Sequence, residues 1–373
     1  MATGTLSPTT ALEERCAAHF GCRHALALGR ATWALALLLR EIGHRCPRRR
    51  IALPSFLCHA PLAAVSYAGW TPVFCDVDPA TGLVPDSEWA AAMDLGADAV
   101  LLVHLFGNPA PVDALSALCR ARRTFLIEDA CQAIGASIAG SPCGAHGDAA
   151  LLSFGHSKAI DVGSGGVLLT DDDALAEAVA RAASTQAYGE PTDYERLSGE
   201  LSRRFYQAKE RALLAGEEPS AAFSGLIDDW RALVPTPWSA DATEICRQLD
   251  RLPQTATERR RKAALYLELL AGTPMQPIEM SAQANPWRFC FRVPGISRSR
   301  QEALSGTLRH QGIHVSNWYL PTQWMASRGA LATGPLAHTA QLSTEIFQLW
   351  LDEATPESQI RANAAAAREA ICA

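Results

Sequence analysis

Seven short apolar runs recur between residues 25 and 169: Ala25–Leu28, Arg50–Leu53, Pro72–Val77, Ala99–Leu105, Thr124–Ile127, Ala149–Ser153 and Gly166–Leu169. Several are unbroken Val/Ile/Leu/Ala stretches rather than alternating ones. Strands covered on both faces read this way, and such sheets are mostly parallel. Helical segments lie between them. Thr32–Ile42 stops at Gly43, His59–Ala68 stops at Gly69, and Asp113–Ala121 joins two of the runs. The spacing predicts an α/β fold with helices on both sheet faces. Ligands of such folds bind beyond the carboxyl ends of the strands, so the residues after each run are where chemistry is sought.

The pattern changes near Tyr188. Tyr188–Leu233 is charged and helical, with Arg203, Arg204, Lys209, Glu210 and Arg211 close together, and reads as an inserted layer: a lid or a dimer arm. A long helix is expected from Asp241 to about Leu270. Beyond it Arg288–Val293 and His314–Trp318 read as strands, Ser299–Gln311 as a helix ended by Gly312, and Thr355–Ile371 as a closing helix. The expected division is a large α/β domain over 1–245, carrying the insert at 188–233, and a small C-terminal α/β domain over 246–373.

Composition narrows the function classes. With 373 residues, 48% of them hydrophobic, the chain can bury a large core without disulfides. A net charge of −6 supplies no polybasic field for nucleic acid. The longest apolar run, Trp33–Leu39, is far short of the ~20 residues of a membrane helix. The eleven cysteines show no C-x-x-C pair and no zinc-ligand spacing, so no metal is expected. Met1–Gly21 has neither the basic nor the apolar region of a secretory signal. A soluble cytoplasmic protein with reduced thiols is the expectation.

Three positions at strand ends carry chemistry. Asp129 closes the run Thr124-Phe-Leu-Ile-Glu-Asp129. A partly desolvated carboxylate there needs a facing cation or donors, such as a pyridinium N–H, or else it caps a following helix. Gln132 can donate to a phenolate-like oxygen. Lys158 follows Ala149–Ser153 in the context Ser153-Phe-Gly-His-Ser-Lys158 and is one of only three lysines, against thirty arginines. An ammonium at an apolar strand end is suited to attack carbonyls; a solvent-facing loop lysine is the plain alternative. Ser153 and Ser157 add hydroxyls. Gly29-Arg30-Ala31-Thr32 stands between a strand and a helix, where free N–H groups and a hydroxyl bind anions such as phosphate.

The runs Leu53–Val65 and Gly69–Asp78, then Val103-His-Leu-Phe-Gly107, Ile127-Glu-Asp-Ala-Cys-Gln-Ala-Ile-Gly-Ala136, Ser153-Phe-Gly-His-Ser-Lys158 and Gly165-Gly166, resemble the DegT/StrS-type aminotransferases. These are pyridoxal 5'-phosphate (PLP) enzymes of fold type I, many acting on keto sugars. The resemblance covers about Ala25 to Thr170 and, more weakly, Arg259 to the end. It implies a mainly parallel mixed sheet in the large domain and a homodimer whose active site is shared between subunits. It further implies that Lys158 forms an aldimine with the cofactor and shuttles a proton, and that Asp129 pairs with the pyridine nitrogen. Gln132 would lie near the ring hydroxyl, and Ser153 with Arg30, Ala31 and Thr32 would hold the phosphate. Cys58 stands where many relatives stack an aromatic ring on the cofactor; alternatively His59 would stack there. The usual Ser-Gly-Thr of the phosphate turn is Arg30-Ala31-Thr32, the Glu before the Gly-Gly pair is Ser164, and the Asn-x-Arg loop has no counterpart near Trp238–Thr243.

Remaining candidates are weaker. His104 and His156 could touch substrate, although a structural hydrogen bond and a positioning role compete. Arg288 could clamp a donor carboxylate or form a surface ion pair. Asn317, Trp318 and Tyr319 could line the entrance, and Arg259–Lys262 reads as a solvated helix face. The expected reaction is ping-pong transfer of an amino group from an amino-acid donor, glutamate or glutamine, to a keto sugar or cyclitol. The alternatives are a PLP-dependent lyase, dehydratase or condensing enzyme on the same fold, or a non-catalytic relative.

Overall fold

The computed structural model describes residues 7–213, 217–327 and 329–372. Residues 1–6, 214–216, 328 and 373, which belong to the expected domains and insert, lie outside the described residues.

Helix α1 (Pro8–Phe20) begins where Ser7 accepts the N–H of Thr10 and ends at Gly21 with φ +69°. The chain then lays down β1 (His24–Leu28), α2 (Ala31–Ile42), β2 (Arg50–Pro54), α3 (His59–Tyr67), β3 (Thr71–Cys75), α4 (Asp86–Asp94), β4 (Ala99–Val103), α5 (Asp113–Arg122), β5 (Phe125–Asp129), β6 (Ala149–Ser153), β7 (Gly166–Thr170) and α6 (Asp173–Thr185). The strands stand in the order β1-β7-β6-β5-β4-β2-β3. Pairing is parallel from β6 to β3, and β7 alone runs against both its neighbours. Successive side chains alternate faces. Leu101, Ile127, Leu151 and Leu168 share one core with α2 and α3, whereas Val100, Leu102 and Leu126 share another with α4 and α5. Two covered faces explain why the runs are continuously apolar. All of Trp33–Leu39 is buried, because α2 is enclosed on every side.

The insert is helical: α7 (Pro191–Leu213) and short turns at Pro219–Ala222 and Leu226–Trp230. Leu201, Phe205, Phe223, Ile227 and Trp230 are buried in the same core as α2 and α3, so the segment is a fixed layer of the molecule.

Helix α8 (Ala242–Leu269) starts where Asp241 accepts the N–H of Glu244. After it come β8 (Gln276–Pro277), β9 (Phe289–Arg292), α9 (Arg298–His310), β10 (Val315–Ser316), β11 (Leu331–Ala332), α10 (Ala337–Glu345), β12 (Ile346–Leu349) and α11 (Glu357–Cys372). A second, antiparallel sheet has the order β8-β9-β12-β10. Its core joins Phe289, Phe291 and Phe347 to Tyr266, Leu308 and Ile360 of the helices. Residue 245 falls inside α8, and β11 pairs with β3 rather than with the second sheet. The run Arg259–Lys262 is not a solvated face. Arg259 and Lys262 lie on one side of α8 and are buried, donating to the carbonyls of Pro286, Trp287 and Asp352, and only Arg260 and Arg261 face water.

Candidate active site

The carboxyl ends of β5 and β6 open onto a cavity of about 270 Å³ closed by the first turns of α2 and α3. Arg30, Ala31 and Thr32 line it from α2, Cys58 from the start of α3, Asp129 and Gln132 from the end of β5, and Ser153, His156 and Lys158 from the end of β6. Cys131 and Ser164, for which the sequence suggested no role in the site, line it too.

Asp129 is 7% exposed. One oxygen accepts the N–H of Cys131 at 3.0 Å, and the other meets no donor among the described residues. No helix follows it, so its side chain closes a turn rather than capping a helix. Gln132 is oriented from both ends: Oε1 accepts the N–H of Phe106 at 2.7 Å and Nε2 donates to the Tyr319 hydroxyl at 2.7 Å. Lys158 Nζ has no hydrogen bond or ion pair among the described residues. Its loop is held instead. Asp161 accepts the N–H groups of Ser157 and Gly163, and Ser157 has a left-handed backbone at φ 60°. The Ser157 carbonyl accepts from the Trp287 indole. Burial raises the Cys58 thiol, opposed by the Lys158 charge, and burial with the Asp129 charge raises Cys131. Both thiols stay protonated and apolar at neutral pH.

The anion end is pressed together by glycines. A side chain on Gly166 would place its Cβ 2.2 Å from Ala31 N, and one on Gly29 would sit 2.1 Å from the Thr236 carbonyl oxygen. Arg30 starts α2 with an extended backbone and no side-chain cap bond. Its Nε is buried and has no hydrogen-bond partner among the described residues.

Other expected residues lie elsewhere. His104 does not reach the cavity. It is fully buried, Nε2 donates to Glu128 at 2.9 Å, and Nδ1 accepts the Ala110 N–H at 3.0 Å, so both ring nitrogens are spent. Asn317 is not at the entrance either; it is buried between Lys209 and Glu302. Tyr319 is buried behind Gln132 and touches the site only through that amide. Its Trp318 neighbour stacks on Phe205 of the insert, with ring centroids 5.2 Å apart. His59 stacks on Trp230 at 3.5 Å, not in the cavity. His156 is at the mouth, its side chain 86% exposed. Arg288 makes no surface ion pair. It is buried between the rings of Trp287 (4.0 Å) and Trp350 (3.6 Å), donates to Gln348 at 3.2 Å and to the Ser157 hydroxyl at 3.4 Å, and meets no carboxylate among the described residues. Burial lowers its guanidinium to about 10, which leaves it charged at neutral pH.

Glu128 went unread. Buried next to Asp129, it accepts from His104 and from the backbone N–H groups of Gly144, His146 and Gly147. Nothing in the sequence separates it from a strand-end residue, because its donors arrive from two other segments.

A family model described as "DegT/DnrJ/EryC1/StrS aminotransferase family" matches residues 4–232 and 238–365. Among curated proteins, the chain is 28% identical over 311 residues to a pleiotropic regulatory protein of Geobacillus stearothermophilus, covering 83% of this chain and 73% of that one. It is 30% identical over 253 residues to the dTDP-4-dehydro-2,3,6-trideoxy-D-glucose 4-aminotransferase of Saccharopolyspora spinosa, covering 66% of this chain and 58% of that one. In fold it is similar to the aminotransferase TlmJ from Streptoalloteichus hindustanus, with a TM-score of 0.78 at 24% identity over 99% of this chain and 92% of the other. The fold is therefore that of the family's fold type I enzymes. No helix among the described residues is long and apolar enough to cross a membrane.

Proposed function

The chain belongs to the DegT/DnrJ/EryC1/StrS aminotransferase family, and from that premise we propose that it is a PLP-dependent aminotransferase. In this reading it moves an amino group from an amino-acid donor, glutamate or glutamine, to a keto sugar or cyclitol. One observation carries the proposal. A carboxylate with a free oxygen, Asp129, and an ammonium with no partner, Lys158, line a single cavity whose third wall is a helix start. The donor set fits the cofactor, and the buried, partnerless Arg30 Nε at that helix start supports the fit. The N–H groups of Ala31 and Thr32 with the hydroxyls of Thr32 and Ser153 would hold the phosphate, and Arg30 would add charge. Asp129 would face the ring nitrogen and Gln132 the ring hydroxyl, while Cys58 packs an apolar, protonated thiol beside the ring.

The bound cofactor supplies an aldehyde carbon and a protonated ring that accepts electron density from the substrate carbon. Asp129 would keep that ring protonated. Lys158 would hold the cofactor through its ε-amino nitrogen, and the same Nζ would take the proton from the donor's α-carbon. Arg288, flattened between two indoles and lacking a carboxylate, would hold the donor's carboxylate. The sugar class of the acceptor rests on the Saccharopolyspora relative. We also assign the chain to a homodimer in the cytoplasm and keep the division near residue 245; light scattering would test the dimer.

The experiment is direct. Loaded with PLP and reduced with borohydride, the protein should carry one cofactor mass on Lys158. Glutamate or glutamine should bleach the visible band of the loaded protein, and Lys158→Ala should lose amino transfer entirely. A label on another residue, or a band indifferent to both donors, would refute the assignment.

A further inference from the structure

We propose that Tyr194, on the helical insert, is a positioning residue that aims Arg30 at the anion end of the cavity, so that the insert supports the phosphate site. The inference rests on the PLP reading above and adds to it a residue from outside the cavity walls.

Arg30 lines the cavity, yet its side chain makes neither a hydrogen bond nor an ion pair with any described residue. A long cationic side chain without such a partner ordinarily turns its head to water. Here the guanidinium carbon lies 5.2 Å from the centre of the Tyr194 ring, and Nε is buried. The ring's π face supplies the attraction that no carboxylate supplies. It leaves the N–H donors unspent, because a π contact uses the charge and not the hydrogen bonds. An arginine held in this way keeps its planar fork for an anion, and a phosphate monoester matches that fork.

Tyr194 could not aim anything from a mobile arm, and α7 is not one. The Trp33 indole, one turn into α2, donates to Tyr188 at 3.3 Å just before α7 begins. Further along α7, Phe205 stacks on Trp318, and Lys209 pairs with Glu302 at 3.0 Å. The backbone of Arg30 is pinned as well, by its bridge to Gly165 and by the bond from Gly165 N to the Gly29 carbonyl at 2.9 Å. Beyond the insert, Ser239 meets the cavity-lining Ser164, with hydroxyls 3.2 Å apart.

The test is equilibrium binding of PLP, pyridoxal (which lacks the phosphate) and inorganic phosphate to the full-length protein and three variants. Arg30→Gln should weaken PLP about tenfold or more, and Tyr194→Leu about three- to tenfold. Tyr194→Phe keeps the π face and should stay within about twofold of the wild type, which also guards against a folding artefact. Pyridoxal should bind all four proteins alike. PLP affinity unchanged in Tyr194→Leu overturns the proposal, and so does an equal loss for PLP and pyridoxal. Should the wild type not bind PLP, the functional reading fails on its own. The phosphate titration then decides this inference: the same ranking of variants supports it, and equal affinities overturn it.

Discussion

Replacing Glu128 with glutamine exchanges one oxygen for an NH₂ group at a position with no exposure to water. In the native arrangement Oε2 accepts from His104 Nε2 and Gly144 N, both at 2.9 Å, while Oε1 accepts from His146 N and, at 2.7 Å, from Gly147 N. All four partners are donors. The amide keeps one acceptor oxygen, so it can satisfy two of them and must point N–H groups at the other two. His104 cannot adapt by moving its proton, because Nδ1 already accepts from Ala110. Two hydrogen bonds are lost and two buried donors are orphaned. At roughly 1–3 kcal/mol for each orphaned donor the cost is about 2–6 kcal/mol. Urea unfolding followed by tryptophan fluorescence should show a lower midpoint with an unchanged slope. A pH series adds a sign. Burial alone would raise the Glu128 carboxyl, but the His104 hydrogen bond and the backbone donors outweigh it, leaving it below its usual value. The wild type therefore holds this stabilisation in full above the unfolded carboxyl value of about 4.3, and loses it as pH falls through the lower folded value. Glu128→Gln has no such carboxylate, so the gap between the proteins should narrow in acid. A loss below about 1 kcal/mol at neutral pH, or a gap that widens in acid, would refute the reasoning.

Three further substitutions have definite outcomes. Burial holds His59 down to about 3 while its ring stacks on Trp230; the unfolded histidine takes its proton near 6.5, so its contribution is lost as pH falls from there. His59→Phe keeps the stack and should gain on the wild type by about 2 kcal/mol between pH 7 and 5, and parallel denaturation curves at the two pH values would contradict this. Arg288→Lys removes the flat fork between the two indoles and should raise KM for the amino donor about tenfold with PLP affinity unchanged; an unaltered donor KM counts against the clamp. Gly29→Ala would put Cβ 2.1 and 2.4 Å from the backbone oxygens of Thr236 and Pro237, atoms that cannot rotate away, so PLP affinity and thermal stability should fall together. A Gly29→Ala protein that melts and binds like the wild type would exclude that close approach.

The seven strands were legible because two covered faces demand unbroken apolar runs, and the observed bounds fall within two residues of those expected from the sequence, most of them within one. Asp129 was legible because it ends such a run, and Lys158 because it follows one closely in a chain poor in lysine. Helices α1, α4 and α6 were not, since α1 and α4 are mixed in polarity, and α6 follows the last apolar run with no strand to bracket it. His104 and Arg259 show the limit of local reading. Each looked free until residues distant in sequence arrived to occupy it. Arg30 meets Tyr194 in the same way, across a long sequence gap, from a segment whose charge density suggested a lid or a dimer arm.

The border strand β11 has a practical consequence. Leu331 and Ala332 seal the exposed edge of β3, and Asp76 just beyond that edge accepts the N–H groups of His338 and Thr339. During synthesis the rim of the first sheet therefore stays bare until residues 331–332 have been made, long after β3 itself, an interval in which it could pair with a neighbouring nascent chain. For the same reason a fragment cut after the long helix would be born with an open, sticky margin, and dissecting this protein into halves calls for a graft of the 331–339 segment.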